Sequence, residues 1–84
     1  MRKNLKWSPN ALCEFEKLDV FVANRISDRV EYLAKNIDNV DIKPLKGHWY
    51  GHYRYAVGDW RIIFAVYEDT IVIKSVGHRK NIYK

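Results

Sequence analysis

The stretch Tyr53-Arg54-Tyr55-Ala56-Val57-Gly58-Asp59-Trp60-Arg61-Ile62-Ile63-Phe64 decides how this chain folds. Gly58-Asp59 suits a two-residue hairpin turn, and the flanking residues are largely the β-branched and aromatic types that fit a pleated sheet. A two-residue turn sets Val57 opposite Trp60, Tyr55 opposite Ile62 and Tyr53 opposite Phe64, so one side of the hairpin is wholly apolar. That side needs a cover. The other side carries Arg54, Ala56, Arg61 and Ile63.

Moving toward the C-terminus, Glu68-Asp69 separates Trp60 to Tyr67 from a further strand, Thr70 to Val76, which makes an antiparallel meander. An even-length turn adds Thr70, Val72, Lys74, Val76 and, if the strand continues, His78 to the face shared by Arg54 and Arg61. A bulge would break this alignment. Moving the other way, Asp38 to His52 holds Pro44, Gly47 and Gly51 with no stable period, and reads as a long loop with a short strand around Lys43 to Leu45.

The cover comes from the first half of the chain. Leu5-Lys6-Trp7 reads as a short strand, and Ser8-Pro9 supplies an N-cap hydroxyl followed by a proline at the first helical position. Ala11, Leu12, Phe15 and Leu18 share one side of a first helix. Asp19 caps a second, in which Val22, Ile26, Val30, Leu33 and Ile37 recur at helical spacing. The expected fold is α+β, in the order β-α-α-β-β-β, with a two-helix hairpin packed on one face of a twisted antiparallel sheet. Residues 1–84 form a single domain, because a chain this short can bury only one thin core.

The longest apolar run, Ile62 to Tyr67, is far shorter than the roughly 20 residues of a membrane span. The start Met1-Arg2-Lys3-Asn4 leads into no signal-like stretch, so a cytoplasmic protein is expected. Cys13 is the sole cysteine, which excludes an intrachain disulfide and a thiolate zinc site; a buried structural thiol is expected.

Charge becomes informative when divided along the chain. Residues 1–42 carry seven Lys/Arg and seven Asp/Glu, so the whole net charge of +5 falls in residues 43–84, with all three histidines and eight of the twelve aromatics. A basic, aromatic-rich half beside a neutral one points to a polyanion-binding surface. Arg61, placed among Ile62, Ile63 and Phe64 where a charge is costly, is the cation most in need of a functional reason. No carboxylate falls on the open face, so a two-metal nuclease is not expected, and the reading calls for no cofactor. His48 and His52, around Trp49 and Tyr50, read as polar groups of the loop.

Pro44-Leu45-Lys46-Gly47, then Tyr53 to Phe64 with its Gly58-Asp59-Trp60-Arg61 centre, then Val76-Gly77-His78-Arg79 and Tyr83 resemble the signature stretches of the RelE/ParE toxin superfamily, and the element order over the whole chain is similar too. The resemblance is strongest to the RelE-type mRNA interferases. It implies a ribosome-dependent endoribonuclease that cuts mRNA in the A site and is held inactive by an acidic antitoxin. On that resemblance Arg54 orients RNA, Arg61 and Arg79 contact and stabilise the scissile phosphate, His78 stands where RelE-like proteins often have a basic or imidazole group, and Tyr83 matches the tyrosine near the end of the family pattern. Lys43, Lys46 and Lys74 are further cations expected to bind RNA. Ala56 departs from the family pattern, where a lysine or arginine is frequent.

Attack of a ribose 2′-hydroxyl on the adjacent phosphate needs a base, cationic donors for the phosphorane and an acid for the leaving oxygen. Arginine forks suit the second task, and His78 or Tyr83 the others. Two alternatives keep the fold. A ParE-like toxin acting on DNA gyrase would lack the catalytic set, and Ala56 favours it; a non-catalytic RNA-binding module is the other.

Overall fold

The computed structural model describes residues 3–82. Strand β1 (Asn4–Trp7) leads into helix α1 (Pro9–Glu16) and helix α2 (Val20–Lys35); the chain then passes through β2 (Ile42–Pro44), β3 (Tyr53–Val57), β4 (Trp60–Tyr67) and β5 (Thr70–His78). Both helices start as their sequences predict. Ser8 Oγ accepts the Ala11 N–H with Pro9 in the first turn, and the Asp19 carboxylate accepts the Phe21 N–H.

The strands form one sheet in the order β1-β5-β4-β3-β2. The meander is antiparallel as expected, while β1 joins it parallel to β5 at the far edge, so the sheet is mixed. The short strand of the loop is β2, one residue earlier than the sequence suggests. The β3–β4 register is the one the two-residue turn requires: Tyr53 opposite Phe64, Tyr55 opposite Ile62, Val57 opposite Trp60. Gly58 takes a left-handed φ of 60° there, which glycine adopts without a Cβ penalty.

The apolar side of that hairpin lies under the helices. Ile26, Val30, Leu33 and Ala34 of α2 and Ala11 of α1 cluster with Tyr55, Val57, Ile62, Phe64, Ile71 and Ile73. Each large side chain so buried contributes about 1.5–3 kcal/mol. Helix α1 is covered over a narrower stripe than its pattern suggests. Ala11 is buried and Phe15 packs on Trp7 with ring centroids 4.9 Å apart, but Leu12 and Cys13 are exposed. Eight residues lying along the sheet edge offer the core little more than one side chain per turn, and the thiol expected inside is on the outer side.

The β4–β5 ladder holds one departure that matters for function. From the Glu68-Asp69 turn it runs regularly to Phe64 opposite Ile73, then skips Lys74 and resumes with Ile63 opposite Ser75. Lys74 is the extra residue of a bulge. After it the parity of β5 is reversed, so Val76 lies in the core, 2% exposed, rather than on the open face.

The bulge falls where β5 changes neighbours. β1 ends opposite Ile73, and beyond it the edge of β5 is met by α1. Ser8 Oγ and Asn10 Nδ2 donate to the Lys74 carbonyl at 3.3 and 3.1 Å, and Glu14 Oε1 accepts from Ser75 Oγ at 2.9 Å and from the Val76 N–H at 3.1 Å. Side chains of a helix thus satisfy backbone groups that no strand reaches.

Candidate nucleic-acid interface

Away from the helices the register sets side chains in rows. Lys43, Arg54, Ile63 and Ser75 form one row across β2 to β5; Ala56, Arg61 and Gly77 form the next, toward the Gly58-Asp59 turn. Arg54 and Arg61 therefore share the face opposite the helices. Its floor is apolar, with Ile63 and Ala65 buried. Ile82 packs over Gly77, its Cβ 3.4 Å from where a Cβ on Gly77 would stand.

The two arginines are held differently. Arg61 Nη1 donates to the carbonyls of Gly58 at 2.7 Å and Trp60 at 2.9 Å, which fixes one corner of its fork on the turn. Arg54 is half-buried, and its Nε is fully buried with no hydrogen-bond partner. A desolvated donor without an acceptor costs about 1–3 kcal/mol, a cost that an anion bound by the same guanidinium offsets. Ala56 is exposed directly opposite Arg61, so the space a second cation would fill is open.

Arg79 reaches the same turn from beyond β5. Its N–H donates to the Asp59 carbonyl at 2.8 Å, and its Nε lies 3.5 Å from Asp59 Oδ1. Both side chains are more than half exposed, so the pair is weak in water and easily exchanged for a stronger anion.

His78 is not where the alternation of β5 puts it. The bulge at Lys74 turns it to the parity of Trp60, whose ring it meets edge-on with centroids 5.5 Å apart. Its Nδ1 accepts the Lys80 N–H at 3.2 Å, so in the neutral ring the proton is on Nε2. His78 thus adjoins the same turn from the other side of the sheet end, across from Arg61.

Lys43 stands beside Arg54, as its row requires. Lys74 lies with its Nζ 5.8 Å from the Tyr67 ring, toward the β4–β5 turn and away from Arg61. Lys46 is exposed in the loop at the far end of β3. There Trp49 meets His48 and His52 edge-on, at 5.6 and 5.4 Å. Tyr83 lies outside the described residues.

One cation at the site was not foreseen from the sequence. Arg25 of α2 lays its guanidinium against Gly58: a Cβ there would stand 2.9, 3.0 and 3.2 Å from its Nη2, Nη1 and Cζ. In the helical pattern Arg25 is an ordinary polar-face residue, and only the packing of α2 across β3 brings it to the turn.

The fold meets its counterpart among known proteins. Residues 5–83 match the family model described as ParE toxin of type II toxin-antitoxin system, parDE. Toxin RelE3 of Methanocaldococcus jannaschii is 36% identical over 70 residues, covering 74% of this chain and 78% of the relative. Among solved structures, the RelB-RelE antitoxin-toxin complex of Methanococcus jannaschii matches with a TM-score of 0.72 at 29% identity over 93% of this chain and 94% of that one. The RelBE2 toxin-antitoxin complex of Mycobacterium tuberculosis superimposes with a TM-score of 0.86, at 20% identity over 96% and 95% of the two chains, a likeness of fold. The chain belongs to the ParE toxin family of type II toxin–antitoxin systems, within the RelE/ParE superfamily.

Proposed function

We propose that this toxin is an endoribonuclease that cleaves mRNA in the ribosomal A site by attack of a ribose 2′-hydroxyl on the neighbouring phosphate. The observation that carries this reading is the placement of Arg54 and Arg61 on one face, with Arg79 at the adjoining turn. Arg54, with its unpartnered Nε, orients the RNA backbone beside Lys43. Lys46 and Lys74 extend the basic surface along the strand. Arg61, held by the turn carbonyls, and the more exposed Arg79 stabilise charge developing on the phosphorane, a task suited to arginine forks. His78 Nε2 or the Tyr83 hydroxyl moves the protons.

The reaction is ribosome-dependent on this reading because the chain itself offers few groups to bend the RNA into line; the ribosome supplies a fixed codon and its backbone geometry. The toxin works in the cytoplasm. A cognate acidic antitoxin silences it, in keeping with the toxin–antitoxin complexes among its structural relatives. The exposed Val20 and Phe21 at the start of α2 are apolar surface available to such a partner.

The test is cleavage of a defined mRNA by purified toxin, with and without programmed ribosomes. Cuts confined to the A-site codon and absent without ribosomes are expected. The exposed Ala56, where the superfamily often carries a cation, favours a second reading in which the toxin inhibits DNA gyrase. Gyrase inhibition without RNA cuts would establish that reading and sink the first.

A further inference from the structure

Gly58 lies between two guanidinium groups that come from different elements. Arg61 reaches its carbonyl oxygen at 2.7 Å, and Arg25 lies flat against the position its side chain would occupy, with three guanidinium atoms at nearly equal distance. Joined across the covalent geometry of a single residue, the two groups are on the order of 9 Å apart or less. That is close to the screening length of about 8 Å at physiological ionic strength, so the two charges repel.

The described residues do not neutralise this pair. Asp59 is engaged by Arg79, and Arg25 has neither an ion pair nor a hydrogen bond with any described side chain. The contrast with its neighbour one helical turn on is direct. Arg29 donates to the Tyr55 hydroxyl at 2.6 Å and lies over the Tyr32 ring at 4.7 Å, and so has a structural use for its charge. Arg25 has no such partner among the described residues, and its exposed fork stands beside the tip of the hairpin.

We infer that Arg25 is an RNA phosphate-binding residue, forming with Arg61 a two-arginine cradle around Gly58 that takes a backbone phosphate next to the one being cleaved. This rests on the endoribonuclease reading and extends it: the RNA track continues over the hairpin tip onto the helix side, where His78 and Trp60 meet. Gly58 is what makes the cradle possible. Any side chain there meets the Arg25 guanidinium at 2.9 Å and also pays for the left-handed backbone, so glycine serves the turn and the second arginine together.

The test measures binding of a short single-stranded RNA, 2′-O-methylated so that it cannot be cut, across a series of salt concentrations. Each phosphate contact contributes about 0.7 to the slope of log affinity against log salt for a single strand. Arg25→Gln is expected to lower the slope by about that amount, and Arg25→Lys to keep it. Arg29→Gln, with the same charge change on the same helix, is expected to leave it unaltered. A melting curve for each variant separates loss of a contact from loss of fold, since a purely packing role would move the melting temperature and not the slope. If Arg61→Gln lowers the slope and Arg25→Gln does not, or if Arg25→Gln and Arg29→Gln lower it equally, the cradle is wrong and the endoribonuclease reading stands. If the parental toxin binds RNA with no salt dependence, both fall.

Discussion

Arg61 turns back along its own hairpin, so that a single nitrogen, Nη1, stands 2.7 Å from the Gly58 carbonyl oxygen and 2.9 Å from that of Trp60. One corner of the fork is spent on the backbone, and the rest remains aimed and charged. A lysine would keep the charge, but an ammonium held by the two carbonyls has no second nitrogen to present to a phosphate in the planar, paired geometry of the fork. Arg61→Lys is expected to slow single-turnover cleavage on ribosomes by roughly 10²–10³, the usual cost of losing one oxyanion donor, while ribosome binding falls less than about tenfold. Parental rates in the lysine variant would show that only charge matters at this position.

Glu14 ties α1 to the bulged edge of β5 through two bonds to one carboxylate oxygen, from the Ser75 hydroxyl and the Val76 N–H. Both residues are buried. Glu14→Ala leaves these donors without an acceptor, at a cost of about 1–3 kcal/mol each, so thermal unfolding should begin at least about 4–8 °C lower for this size of domain. Glu14→Gln keeps an acceptor oxygen and should recover much of the loss. An alanine variant as stable as the parent would mean that water serves this edge.

That same contact marks the limit of what the sequence discloses. Tyr55, Val57, Ile62 and Phe64 announce their face because strand parity is local and a two-residue turn fixes the register, and the two helices declare themselves through Ser8-Pro9, Asp19 and their apolar spacing. Arg54 and Arg61 follow from the same arithmetic. Lys74 gives no such sign, because its bulge is created by where β1 stops and by Ser8, Asn10 and Glu14, all far away along the chain. Everything after it inherits the reversal, which is why Val76 and His78 fall on the unexpected side. Arg25 escapes for the same reason: its partner is a glycine that only tertiary packing brings near.

Glu68 is the one described non-glycine residue with a positive φ, 55°, at the first position of the β4–β5 turn. A left-handed residue with a long side chain costs about 1–2 kcal/mol, and asparagine tolerates the region better. Glu68→Asn should raise the melting temperature by a few degrees, and cleavage should be unchanged because the turn lies at the end of the sheet opposite the arginines. A lower melting temperature would indicate that the Glu68 side chain contributes more than its backbone costs.

His78 separates two roles by its two nitrogens. Nδ1 accepts the Lys80 N–H and so shapes the turn after β5, whereas Nε2 is the atom left for RNA. Asparagine can place its carbonyl oxygen near Nδ1 and keep the turn; glutamine can reach the position of Nε2 but cannot titrate. If His78 transfers a proton, both His78→Asn and His78→Gln should lose roughly 10²–10⁴ in single-turnover rate, and the pH dependence of the residual activity should flatten. If His78 only supports the turn, His78→Asn should keep near-parental rates with an unchanged pH profile, and His78→Gln alone should suffer, together with a lower melting temperature. Rates measured on programmed ribosomes from about pH 5.5 to about pH 8.5, beside a melting curve for each variant, separate the two. The second outcome would pass the proton-transfer role to Tyr83, and Tyr83→Phe, which removes the hydroxyl and keeps the ring, would then carry the loss.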